Sequence, residues 1–175
     1  MKTEFEIRKA LITYLKNLYG AETPLIAEVY LEDHARRIDL LALVGDKLIG
    51  FEIKSSSDSL ARLQQQIETY EKYLDKVILV CASNHTSKAT VILESDTGIW
   101  EISTYGSIKK LHRGKQHKIE KVALIRSLTV KDMRKLNHIP TQKITRKELS
   151  QMTLNLPHAK IKKAVIESIK NRRLN

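Results

Sequence analysis

Apolar residues recur along residues 1–82 with the spacing first of a helix and then of strands. A helical period covers residues 5–18 and ends at Gly20. Strand-like segments follow at 25–31, 38–44 and 47–54, then a second helical stripe, then a continuous apolar strand at 77–82. The patterns predict the order αβββαβ, an α/β fold with a mixed sheet flanked by helices. Ser57 or Asp58 is a candidate cap for the second helix.

Beyond residue 82 the pattern predicts a hairpin and then a helical tail. Segments 89–94 and 99–103 alternate as two strands around Asp96-Thr97-Gly98, and 109–121 is a polar connector. Three helices are expected next. The first is capped by Thr129, the second begins at the Thr145/Glu148 capping-box pair, and the third follows Pro157. We therefore divide the chain into a core of residues 1–105 and a basic, mainly helical extension of residues 106–175.

The turn at Gly45-Asp46 fixes a register between two of the strands. Gly at the first central position is typical of a type II′ hairpin turn. If these are the two loop residues, Asp39 faces Glu52, and Arg37 faces Lys54. One face then carries both acids and both cations with Leu41, whereas the other face is apolar: Ile38, Leu40, Ala42, Ile49, Phe51 and Ile53.

Carboxylates placed opposite each other repel, so the predicted placement of Asp39 opposite Glu52 needs an explanation. A divalent cation would make them a ligand pair, and Mg²⁺ uses only one or two protein carboxylates beside waters and phosphate oxygens. Lys54 shares the face of Glu52 and would polarise water or stabilise charge on a phosphate. The alternative is an exposed salt-bridge ladder with Arg37, and spacing alone leaves both interpretations open.

Asp39, followed after the hairpin by Glu52-Ile53-Lys54, resembles the D…ExK signature of the PD-(D/E)XK nuclease superfamily. Gln66 and Tyr70 resemble the Gln-x-x-x-Tyr motif of its RecB-like branch. The whole stretch is similar to small stand-alone bacterial and phage proteins of that superfamily. The residue before Asp39 is isoleucine where the family name has proline.

The resemblance implies a restriction-endonuclease-like core that hydrolyses DNA phosphodiesters with Mg²⁺ or Mn²⁺. Asp39, Glu52 and the carbonyl of Ile53 would bind the metal, and Lys54 would assist the attacking water. Gln66 and Tyr70 would position substrate or the groups around the metal.

Glu28 has a weaker claim, as a third carboxylate or as an ordinary surface glutamate on its strand. Asp58 also has a weaker claim as a metal ligand, because an aspartate in this position is more typical of a helix cap.

The charge of the chain is uneven. Residues 1–105 hold 12 Lys+Arg and 16 Asp+Glu, a net of −4, whereas residues 106–175 hold 19 and 4, a net of +15. A basic third beside a less charged body predicts binding to nucleic acid. The nuclease resemblance favours DNA over RNA, which the charge does not distinguish. The candidate contact residues are Arg37, Arg62, Lys160, Lys163, Arg172 and Arg173. A homodimer would let so small a core reach two strands.

A single cysteine excludes an internal disulfide, and no apolar run is long enough to span a bilayer. Together with an N-terminus unlike a signal peptide, these features predict a cytoplasmic protein without membrane partners. The sequence leaves open a non-catalytic nucleic-acid-binding or interaction module on the nuclease fold, and an RNase that uses the same residues.

Overall fold

The computed structural model describes residues 3–31, 36–93, 96–139 and 143–172, and for residue 172 the backbone alone. In chain order its elements are α1 (Glu4–Tyr19), β1 (Leu25–Leu31), β2 (Arg36–Val44), β3 (Lys47–Lys54), α2 (Leu63–Tyr73), β4 (Lys76–Ala82), α3 (Ser83–Ile92), β5 (Gly98–Ile102), β6 (Ile108–His112), α4 (Lys121–Arg126), α5 (Val130–Leu136), α6 (Arg146–Leu154) and α7 (His158–Arg172). The predicted order αβββαβ is confirmed.

The strands described form one six-stranded sheet in the order β1-β2-β3-β4-β5-β6. The first three strands pair antiparallel, β3, β4 and β5 run parallel, and β6 returns antiparallel to β5. Parallel neighbours need a crossover connection, and α2 and α3 supply the two crossovers. The sheet is therefore mixed and flanked by helices, as predicted.

The hairpin between β2 and β3 has the predicted register. Val44 pairs with Lys47, and the same register continues to Leu40 opposite Phe51. Gly45 has φ 60°, whereas Asp46 keeps a negative φ, which is the backbone pattern of a type II′ turn. A side chain at residue 45 would strain this turn, so glycine fixes the register there.

Helix α1 covers one face of the sheet. Thr3 and Glu6 form a reciprocal capping box at its start. Its buried stripe, Ile7, Leu11 and Leu15, packs into a cluster with strand residues that include Leu40, Phe51 and Trp100. Each such buried side chain contributes about 1.5–3 kcal/mol.

The other face is covered by α2 and the four helices of the C-terminal part. Thr129 and Thr145 each form the predicted capping box, and α7 follows Pro157 as expected. These helices contribute to one cluster with the sheet, which contains Leu41, Leu79, Leu63, Tyr70, Leu124, Met133, Leu149, Ile161 and Val165. Beyond strand β6 the basic extension is thus helical, and its apolar residues share the core of the sheet.

A buried ion pair also joins α7 to the sheet. Lys162 Nζ donates to Asp75 Oδ1 at 2.6 Å, and Leu48 N–H donates to Asp75 Oδ2 at 2.7 Å. Asp75 is 4% exposed and Lys162 is 9% exposed. Both charges are therefore satisfied inside the protein, where an unpaired charge would be costly.

Two predicted elements are wrong. Residues 89–94 were expected to pair with 99–103 in a hairpin, but 83–92 is helix α3. The strand β5 pairs parallel with β4 instead, and parallel neighbours need a crossover, which this helix supplies. The expected connector 109–121 begins as strand β6, which pairs with β5 through Ile102–Ile108 and Trp100–Lys110. The boundary placed after residue 105 falls in the turn between these two paired strands.

No helix in the described ranges is both long and apolar enough to cross a bilayer.

Candidate active site

The β2–β3 hairpin brings Asp39 beside the strand that carries Glu52. One step beyond the Leu40–Phe51 pair, Asp39 Oδ2 accepts the backbone N–H of Ile53 at 2.7 Å. A side chain thus satisfies a backbone donor just beyond the last backbone pair of the two strands. The contact holds the Asp39 carboxylate against the predicted Glu52-Ile53-Lys54 motif.

The regular alternation predicted for β1 and for residue 38 is wrong. Leu25 and Leu40 pack on the α1 side, whereas Val29 and Ile38 pack in the cluster on the opposite side. Glu28 lies between them with φ 56°, a left-handed backbone that is uncommon for a residue other than glycine. Because of this left-handed residue, the apolar side chains of β1 after Glu28 face the opposite side of the sheet from those before it. The side chains of the paired strand β2 change sides at the same level.

Glu52 is the most buried acid of the site, at 2% exposure. Its Oε1 accepts from Lys54 Nζ at 2.7 Å and from Gln66 Nε2 at 2.8 Å. Its Oε2 is buried and has no hydrogen-bond partner among the residues that the structure describes. A buried carboxylate oxygen without a partner is costly, so Oε2 is the oxygen of this carboxylate that can accept a further group.

Helix α2 supplies both residues of the predicted Gln-x-x-x-Tyr motif. Gln66 contacts Glu52, and Tyr70 OH donates to the carbonyl of Arg37 at 2.8 Å. Burial, with the nearby charge of Glu52, raises the pKa of the Tyr70 phenol. The tyrosine therefore acts as a neutral anchor between α2 and β2.

Gly50 allows α2 to approach the sheet closely. A Cβ at this position would clash with Leu74 Cδ1, just beyond the end of α2. The helix itself begins at Leu63 without a side-chain cap, so the predicted caps Ser57 and Asp58 are wrong. Asp58 Oδ2 instead accepts the N–H of Ser55 at 2.6 Å, which closes the loop that follows Lys54.

The pKa of Asp39 is raised to about 7, first by burial and then by the charge of Glu52. The hydrogen bond from Ile53 and the charge of Lys54 oppose this shift, and Glu4 adds to it. Glu4, on the first turn of α1, is an acid near the site that the sequence analysis missed. Its position depends on how α1 crosses the sheet, which no local pattern indicates.

The raised pKa predicts how the stability of the metal-free protein depends on pH. Because the folded pKa lies above the ordinary 3.8, the group favours folding fully below about pH 4, and this contribution is lost as the pH rises through 7. The loss of stability reaches at most about 4 kcal/mol for a pKa that rises from 3.8 to about 7. Asp39→Asn should therefore be more stable than wild type in EDTA at pH 8, and the two should converge near pH 4. Denaturant titrations across this range measure the difference, and parallel curves would refute the prediction.

Glu28 is engaged with two arginines. Its oxygens accept from Arg8 at 3.2 Å and from Arg37 at 2.9 Å, and Arg8 also pairs with Glu4. Arg37 was expected beside Lys54, but its guanidinium binds Glu28. The chain of ion pairs runs from α1 to β2 along the border of the site, and Arg8 is a second residue that the sequence analysis missed.

Of the predicted nucleic-acid contacts, Arg37 belongs to this chain of ion pairs. Arg62 is exposed directly before α2, and Lys160 and Lys163 are exposed on α7. The side chain of Arg172 and all of Arg173 lie outside the described residues. Among the residues described, no group of three or more His, Cys, Asp and Glu has the arrangement of a metal site.

The chain resembles known phage proteins along nearly its whole length. Its sequence matches the profile of bacteriophage P4 protein cII over residues 1–174. Protein cII of Enterobacteria phage P4 is 32% identical over 178 aligned positions, which cover 97% of this chain and 67% of that protein. The fold is similar to that of a protein of unknown function from Silicibacter pomeroyi, with a TM-score of 0.54 and 12% identity over 69% of this chain and 77% of that one. The chain therefore belongs to the bacteriophage P4 protein cII family.

Proposed function

We propose that this protein is a metal-dependent nuclease with a restriction-endonuclease-like core, which hydrolyses DNA phosphodiesters in the cytoplasm. The observation that carries the proposal is the Glu52 carboxylate. One of its oxygens is held by Lys54 and Gln66, and the other is buried without a partner among the described residues. A site with only a structural role would not be expected to leave that oxygen unsatisfied. Asp39 lies near enough for the charge of Glu52 to raise its pKa.

The residues present fit Mg²⁺ or Mn²⁺. A cation between Asp39 and Glu52 would satisfy Glu52 Oε2 and remove the repulsion that raises the pKa of Asp39. Two carboxylates with the carbonyl of Ile53 form an all-oxygen set of the kind that magnesium accepts. When bound, the cation would supply Lewis-acid activation of the phosphodiester and of water.

Each side chain of the site has a role that its contacts support. The N–H of Ile53 fixes the rotation of the Asp39 carboxylate, and Gln66 fixes that of Glu52. Lys54 Nζ, 2.7 Å from Glu52 Oε1, is placed to orient the attacking water and to offset negative charge on the phosphate. Glu28 serves better as the clamp of Arg8 and Arg37 than as a metal ligand, because both of its oxygens bind arginine.

The substrate is inferred from charge. The net of +15 in residues 106–175 favours a polyanion, and exposed cations such as Lys160 and Lys163 suit phosphate contacts that carry no sequence information. A phosphodiester substrate would account both for this preference for a polyanion and for the two-carboxylate site. The D…ExK and Gln-x-x-x-Tyr resemblance supports the same reaction.

The test is cleavage of labelled single-stranded, double-stranded and branched DNA in Mg²⁺, Mn²⁺ or EDTA. We expect wild type to cut at least one of these substrates in a metal-dependent manner. Asp39→Asn, which keeps an acceptor for Ile53 N–H but lacks the charge, should not cut. Salt-sensitive binding by both proteins with no cleavage in any metal would replace the proposal by a non-catalytic binding module, and a preference for RNA competitor would indicate an RNase.

A further inference from the structure

A cavity of about 270 Å³ opens at the carboxyl ends of β4 and β5, apart from the acids of the site. Its apolar lining comes from Ile7 of α1, Ala82 at the end of β4 and Ile102 at the end of β5. The carboxyl ends of parallel strands are a common place for ligands in α/β sheets. The residues lining this cavity are all uncharged, so its chemistry suits a largely apolar group with polar edges.

The polar rim of the cavity includes part of the loop that follows Lys54. Ser56, which lines the cavity, lies two residues after Lys54. Its Oγ is buried and has no hydrogen-bond partner in the described part of the chain. Asn84 Nδ2 donates to the carbonyl of Ser56 at 3.0 Å, and His85 Nε2 lies 2.9 Å from the carbonyl of Ser55. The same short loop therefore borders the catalytic lysine on one side and the cavity on the other.

An exposed aromatic residue follows the opposite rim of the cavity in the chain. Ser103 and Thr104 line the cavity, and Tyr105 follows them with 95% of its surface exposed. The turn that presents the ring is rigid, since Ser103 N–H bonds the carbonyl of Ser107 and Gly106 N–H bonds that of Ser103, both at 3.0 Å. A tyrosine held so far into solvent adds nothing to the core and provides a face for stacking.

Resting on the nuclease function proposed above, we propose that this cavity receives the nucleoside of an unpaired nucleotide next to the scissile phosphate, and that Tyr105 stacks on a neighbouring base. The apolar lining suits a sugar and base, and the hydroxyls of Ser56, Ser103 and Thr104 suit their polar edges. A base within a duplex has both faces covered by its neighbours. The substrate is therefore a single strand, or an unpaired end or flap.

The experiment measures binding without cleavage. The full-length chain carrying Asp39→Asn is titrated into a fluorescently labelled thymidine oligonucleotide of about 12 residues and into a duplex of equal length. Tyr105→Ala should weaken binding of the single strand by about tenfold, leave the duplex unchanged and leave the fold intact, because the ring is exposed. Tyr105→Phe, the matched control, keeps the ring and should bind like the parent.

A second readout excludes an indirect effect of the turn. Abasic residues are placed one at a time along the oligonucleotide, and at one position the missing base should cost as much as Tyr105→Ala. Combined with Tyr105→Ala, that abasic site should add no further loss, since both changes remove the same stacking pair. Fully additive losses, an equal loss on the duplex or no loss on either probe would overturn the inference.

Cleavage by wild type separates this inference from the nuclease proposal. If wild type cuts single strands while Tyr105→Ala binds and cuts them normally, the nuclease function stands and the nucleotide site is wrong. If no substrate is cut, the cavity has no scissile phosphate beside it, and the inference fails even if Tyr105 contributes to binding.

Discussion

Lys54→Met is expected to reduce DNA cleavage by about 10²–10⁴-fold while binding of the DNA persists. The substitution keeps the length of the side chain but removes the ammonium group that lies 2.7 Å from Glu52 Oε1. In the proposed reaction, that group is the cation that acts on water and phosphate. Initial rates at saturating Mg²⁺, together with binding measured in EDTA, separate loss of chemistry from loss of affinity.

The same substitution also affects stability, and this effect needs its own control. With Lys54 gone, the buried Glu52 carboxylate keeps only Gln66 as a partner, which should cost about 3–5 kcal/mol in the metal-free protein. Adding Glu52→Gln removes the uncompensated charge and should restore most of the stability but none of the activity. A stable double variant that still cuts DNA would show that these two residues are not the catalytic pair.

Lys162→Met is expected to lower the free energy of unfolding by about 3–5 kcal/mol, although this residue lies on the far basic extension. Its ammonium group is the charged partner of Asp75, which is 4% exposed and also accepts the N–H of Leu48. Without the lysine, a carboxylate is left buried with one hydrogen bond. Chemical denaturation followed by circular dichroism measures the loss.

Lys163→Met is the matched control for this prediction, because Lys163 is exposed on the same helix and should change stability by less than about 0.5 kcal/mol. Lys162→Met combined with Asp75→Asn should recover part of the loss. Since α7 and the sheet share one apolar cluster, each variant should unfold in a single transition. Separate transitions for the helices and the sheet would contradict this picture.

The part of the site that could be predicted is the part fixed by local chemistry. A Gly45-Asp46 turn sets the pairing of β2 with β3 as far as Leu40 opposite Phe51, and this register brings Asp39 to the backbone of Ile53. The spacing of four residues puts Gln66 and Tyr70 on one face of α2. These relations depend on short-range geometry, so they can be predicted from the sequence.

The remainder depends on contacts between distant elements. Residues 89–92 read as a strand from their β-branched side chains, yet Val91 is 86% exposed on helix α3, which the parallel pairing of β4 with β5 requires. The left-handed backbone at Glu28 changes which residues of β1 face α1, and its acidic side chain gives no sign of it. Glu4 and Arg8 reach the site only because α1 crosses the sheet there.

The two outer strands of the sheet also bear on how the protein avoids aggregation. An unpaired strand edge is a template for fibril growth, and β1 and β6 are the two edges here. Lys109 and Lys110 are exposed on β6, so strands of a second copy would bring like charges together. On β1, the left-handed residue Glu28 interrupts the flat ladder that such growth requires. Part of the basic character of this chain thus protects the β6 edge, apart from any polyanion binding proposed for the rest of it.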